Sequence, residues 1–123
     1  MNAAPVAWVV EDSAALALQL RRLLETLGYQ VCIAEAAQLA LPLQPAPKLV
    51  CVELVGIDSN GFKLLRRIAA VHDCQRLLLT ATGRNTDHNW GLRAGATAVL
   101  QRPCTLAQLA PWAPVLVDNG ATK

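Results

Sequence analysis

Along this chain, short apolar runs alternate with stretches whose apolar residues recur at helical spacing. Val6–Val10 is a continuous apolar run of strand length. Ser13 then stands where a helix cap is wanted, and Leu16, Leu18, Leu20, Leu23, Leu24 and Leu27 predict a helix with a broad apolar face. Gly28 closes it, at a position that suits a left-handed residue. Gln30–Ala34 reads as a second strand and Glu35–Leu41 as a short helix that Pro42 ends. Pro42, Pro45 and Pro47 stiffen the connection that follows. Leu49–Glu53 is a third strand, and Gly61–Val71 a helix that buries Phe62, Leu64, Leu65 and Ile68. Arg76–Thr80 is the fourth strand. Asp87–Ala94 reads as a weak helix, because Gly91 inside it costs about 1 kcal/mol against alanine. Gly95 stops that helix and Ala98–Leu100 is the fifth strand. Thr105 starts a last helix that Pro111 and Pro114 cut short.

Five strands alternating with helices give an α/β fold. Parallel strands need crossover connections, and these place helices on both faces of the sheet. The carboxyl ends of the strands then share one edge, where open α/β sheets bind their ligands. Glu11 and Asp12 follow the first strand, Glu53 ends the third, Thr80 ends the fourth and Arg102 follows the fifth. Topology therefore brings three carboxylates, a hydroxyl and a guanidinium to one edge.

Composition narrows the picture. The 123 residues suit one domain, 1–123, with a core over about residues 6–117, and 54% apolar content argues against disorder. A net charge of +2 with scattered basic residues disfavours nucleic acid as a partner. No apolar run is long enough to span a membrane, and no secretory leader pattern opens the chain, so a cytoplasmic protein is expected. Cys32, Cys51, Cys74 and Cys104 lack metal-ligand spacing and read as free thiols.

In this order, from about Val6 to Leu109, the residues resemble the receiver domain of bacterial two-component response regulators. The resemblance implies a flavodoxin-like (βα)5 three-layer sandwich with a five-stranded parallel sheet. It makes Glu11 and Asp12 the acidic pair that holds magnesium, with Glu53 as a third ligand, so Mg2+ is the one cofactor implied. Glu53 matches the aspartate that accepts a phosphoryl group. Thr80-Ala81 matches the hydroxyl residue and alanine that answer phosphorylation, and Arg102-Pro103 matches the family's Lys-Pro.

Three positions depart from that pattern. Glu53 is longer by a methylene than the aspartate expected there, Arg102 replaces a lysine, and Val99 stands where a switch Tyr or Phe is usual. Ile57 also replaces the loop proline. An attacking oxygen displaced by about 1 Å can lose on the order of a hundredfold in rate. Arginine prefers bidentate carboxylate geometry, which makes a Glu53–Arg102 pair plausible. The reading is an atypical single-domain receiver, not an enzyme, that acts by protein–protein contact without standard aspartate phosphorylation. Its partner would be a signalling protein: a histidine kinase, an output component or a motility or chemotaxis component. The chain itself would be a monomer or a weak homodimer. Trp90 and Trp112 lie where such a partner could dock, or alternatively pack inward. No output module is expected after the short polar tail beyond Val117. Two competitors stay open: a receiver that still accepts phosphate, and a small-ligand module on the same fold. A hydrolase is disfavoured, because neither His72 nor His88 falls at a strand end.

Overall fold

The structure, a computed structural model, describes residues 4–56, 59–81 and 83–114. Ile57, Asp58 and the polar tail after Val117, all singled out in the sequence, lie outside them.

Strands β1 (Val6–Val10), β2 (Gln30–Ala34), β3 (Leu49–Glu53), β6 (Gln75–Thr80) and β7 (Ala98–Gln101) form one parallel sheet in the order β2-β1-β3-β6-β7. Between them run helices α1 (Ala14–Thr26), α2 (Gly61–Val71) and α3 (Asn85–Ala94). After β7 comes the single-turn α4 (Leu106–Leu109), which continues as a 3-10 turn over Ala110–Trp112. A two-residue hairpin, β4 (Val55–Gly56) with β5 (Ser59–Asn60), sits between β3 and α2 and has no counterpart in the predicted elements. Among the described residues no helix is long and apolar enough to cross a membrane.

The sheet separates two apolar cores. One gathers Val9, Leu20, Leu24, Leu49, Leu77 and Leu109 beneath α1 and α4. The other gathers Val50, Val52, Leu64, Leu65, Ile68 and Leu78 beneath α2 and α3. Central strand β3 is buried along Leu49–Val52, as a strand covered on both faces must be. Caps follow the local chemistry. The Ser13 hydroxyl accepts from Leu16 N at 3.4 Å, and Thr105 with Gln108 forms a capping box. Gly28 and Gly95 take φ of 112° and 111°, as their helix-stop positions require.

One predicted helix is absent. Glu35–Leu41 forms only a 3-10 turn over Ala36–Gln38. The prolines that follow restrict the backbone before them and supply no N–H, so a helix cannot propagate there. The second core is closed instead by an irregular segment. Leu43 is 1% exposed, its N–H donates to His72 Nε2 at 2.8 Å, and Trp8 Nε1 donates to the Pro45 carbonyl at 2.8 Å. His72, expected at the surface, therefore holds this loop. Phe62, expected in the core, is only half-buried at the edge of α2.

Candidate functional site

Parallel register fixes where each strand stops, and the stops define the site. Glu11 follows β1, where its N–H donates to the Ala34 carbonyl at 3.1 Å. Glu53 is the last residue of β3 and Thr80 the last of β6, with Thr80 only 2% exposed. Arg102 follows β7, and its N–H donates to the Thr80 carbonyl at 2.7 Å. Its side chain therefore starts at an outer strand and crosses the end of β6 to reach β3 and β1.

A single nitrogen, Arg102 Nη1, donates to Glu11 Oε1 at 2.9 Å and also to Glu53 Oε1. The guanidinium side chain is 17% exposed, against 5% for Glu11 and 10% for Glu53. Such charge-assisted bonds are about twice as strong as neutral ones, and shielding from water strengthens them further. The contact between Glu53 and Arg102 anticipated from their residue types is thus present, with Glu11 as a third member. Glu11 Oε2 is buried without a hydrogen-bond partner, an unusual state for a carboxylate oxygen. Asp12 faces elsewhere: its Oδ1 accepts from Ala36 N at 3.2 Å and ties down the 3-10 turn. The acidic pair is split between two jobs.

The backbone behind Glu53 is held closely. Leu54 N–H donates to the Leu79 carbonyl at 2.8 Å, and Gly61 N–H to the Leu54 carbonyl at 3.3 Å. A Cβ at Gly61 would meet Glu53 O and Leu54 Cα at 2.7 Å, so only glycine allows this approach. Asn60 then caps α2 by accepting from Lys63 N at 3.2 Å.

Thr80 and Val99 face a cavity of about 240 Å3 that Arg84, His88 and Gln101 also line. Val99 is half-buried, and a Cβ on Gly91 would meet its Cγ2 at 2.7 Å. Gly91 in α3 is thus a packing requirement. The two tryptophans divide. Trp90 is 52% exposed with the Arg93 guanidinium 5.9 Å from its ring centroid, whereas Trp112 packs against the first core.

Three residues outside the predicted set hold the opposite, amino edge of the sheet. Arg76 Nε donates to the Gly95 carbonyl at 2.7 Å and its Nη1 to the Cys74 carbonyl at 2.8 Å, which joins the ends of α2 and α3. Thr97 Oγ1 accepts from Arg76 N at 2.9 Å. The Tyr29 hydroxyl donates to the Trp112 carbonyl, and burial, then the neighbouring Cys51, pushes its pKa up to about 12. All of these bonds run to backbone atoms or to residues distant in sequence, which leave no motif. The four cysteines are free thiols, and burial raises those of Cys51, Cys74 and Cys104.

Glu11, Asp12 and Glu53 were the implied magnesium ligands. As placed they do not fit a metal ion: Arg102 lies between two of them and Asp12 bonds Ala36. Among the described residues no three His, Cys, Asp or Glu side chains are grouped to hold one.

With this geometry in hand, comparisons with known proteins agree on one family. The sequence pattern of the response regulator receiver domain matches residues 7–112. The transcriptional regulatory protein CpxR of Escherichia coli (strain K12) is 30% identical over 96 residues, which is 77% of this chain and 41% of that protein. The chain thus spans about two-fifths of the length of the curated relatives it matches. A response regulator from Burkholderia pseudomallei, solved with a phosphorylated aspartic acid, a calcium ion and citrate, superposes with a TM-score of 0.79 at 22% identity. That match covers 90% of this chain and 67% of the other. A response regulator from Thermotoga maritima gives a TM-score of 0.76 at 24% identity, over 89% of this chain and 94% of the other. At these identities the structural likeness establishes the flavodoxin-like, five-stranded parallel fold.

Proposed function

This chain belongs to the response regulator receiver domain family, and from that premise we propose that it is an atypical receiver that signals without aspartate phosphorylation. The coarse role, a receiver domain of two-component signalling, comes with the family. The finer reading is carried by one observation: Arg102 Nη1 bridges Glu11 and Glu53.

In the family, the residue at the position of Glu53 attacks a phosphoryl group. Attack needs an oxygen with a free lone pair, placed in line and close to the reacting atom. Here one Glu53 oxygen already accepts from a guanidinium, and the carboxylate is displaced by a methylene. The relay has changed as well. Val99 offers no ring to rotate, and a two-state element is what coupling between sites requires.

A receiver of this kind passes information by contact. Trp90 stands out on α3 beside Leu92 and Arg93, and aromatic and Arg side chains dominate binding hot spots. We assign this helix surface to a cytoplasmic signalling partner, a histidine kinase or an output component. Trp112, turned to the core, is the less suited of the two predicted contact residues.

Intact mass after incubation with acetyl phosphate and Mg2+ tests the reading. The expected result is an unchanged mass, and a gain of about 80 Da, one phosphoryl group, overturns it. Glu53→Asp combined with Arg102→Lys is expected to restore that gain.

A further inference from the structure

We propose that Arg102 is the resident cation of this site: it excludes divalent metal from the folded chain, and its withdrawal creates a metal site between Glu11 and Glu53. The inference rests on the reading above for its choice of site, but its test is separate.

The exclusion follows from distances. Arg102 Nη1 is hydrogen-bonded to the inner oxygens of both carboxylates, at 2.9 Å in the case of Glu11. A hard divalent ion would need the same two oxygens at about 2.0–2.6 Å. The nitrogen and the ion cannot both occupy that space, so the two cations are alternatives.

Charge and burial supply the second half. Glu11, Asp12 and Glu53 bring three negative charges to this edge, and Arg102 returns one. Glu11 Oε2, buried and without a hydrogen-bond partner, is an acceptor that the guanidinium leaves unused. Burial of such an oxygen is costly until something positive or a donor faces it. Magnesium usually takes only one or two carboxylates and completes its shell with water. Glu11 and Glu53 therefore suffice once the arm has left. The arm is long, starts beyond the end of β7 and remains 17% exposed, so it has a route to solvent.

The consequence concerns how the site is controlled. A site whose cation is covalently part of the chain keeps its charge balance at any cellular level of free magnesium. Any event that draws Arg102 outward, such as capture by a partner's carboxylate, would exchange a fixed cation for a diffusible one.

The test compares the full-length chain with Arg102→Ala and Arg102→Gln, titrated with MgCl2 and with MnCl2. Binding is read by calorimetry, and unfolding midpoints are followed beside it. Wild type is expected to show no saturable binding at millimolar ion. The variants are expected to bind Mn2+ at least about tenfold more tightly and to gain thermal stability with it. Glu11→Gln added to either variant should abolish that gain. Sub-millimolar binding by wild type overturns the proposal even if neither variant folds, and so does a folded variant that binds no better than wild type. Metal binding by wild type without phosphoryl uptake sinks this inference alone. An 80 Da gain sinks the reading of the preceding subsection.

Discussion

Each edge of the sheet is held by one arginine, and the two solve the same problem with different partners. At the carboxyl edge Arg102 gathers the ends of β1 and β3 through two carboxylates. At the amino edge Arg76 gathers the ends of α2 and α3 through the carbonyls of Cys74 and Gly95. Carbonyls are neutral dipoles that water can serve equally well when the arginine goes. Carboxylates are charges of one sign, and removing the cation between them leaves repulsion at a place water barely reaches. The amino edge is a fastening. The carboxyl edge is a balance of charge, which is why function can reside there.

Breaking each fastening in turn should expose that difference. Arg102→Met is expected to have the largest effect, about 3–5 kcal/mol of unfolding free energy in metal-free buffer, because it strands two buried carboxylates. Urea denaturation measures it, and a loss below about 1 kcal/mol would mean that the triad is not a charge balance at all. Arg76→Met should cost less, about 1–3 kcal/mol, with midpoints indifferent to divalent ions. Equal losses at both edges would erase the distinction drawn here.

The mildest probe is Tyr29→Phe, which removes the hydroxyl bond to Trp112 and should cost about 1 kcal/mol at neutral pH. It also sharpens the comparison through pH. The Tyr29 pKa rises from the ordinary 10.0 to about 12 on folding, so the folded chain holds this proton more tightly than the unfolded one. Its contribution is complete below pH 10 and is lost as pH climbs toward 12. Unfolding midpoints of the wild type should fall across that window, and those of Tyr29→Phe should fall less. Parallel curves would show that the hydroxyl is not set by burial.

The sequence reading succeeded where the signal was local. β1, β2, β3 and α2 match their predicted limits residue for residue, because each is an apolar or amphipathic run bounded by Gly, Pro or a capping side chain. The site was legible for a different reason. Parallel topology sends every carboxyl end to one edge, so Glu11, Glu53 and Arg102 could be gathered before their distances were known. Glu35–Leu41 misled because its alanines and leucines favour a helix one residue at a time, while Pro42, Pro45 and Leu43 decide the segment together. Arg76, His72 and Gly61 were invisible because their partners are backbone atoms supplied by distant segments. The hairpin of β4 and β5 is too short to carry a period.

One consequence reaches beyond the molecule to the cell that makes it. Exposed pairs such as Arg21–Glu25, whose side chains are 44% and 49% exposed, weaken as salt shortens the reach of charge to about 3 Å at 1 M. The Arg102 triad is shielded from that ionic atmosphere. Its geometry should hold through osmotic upshift or drying, when cytoplasmic ion concentrations climb, and a signal built on it would read the same in a turgid cell and a shrunken one.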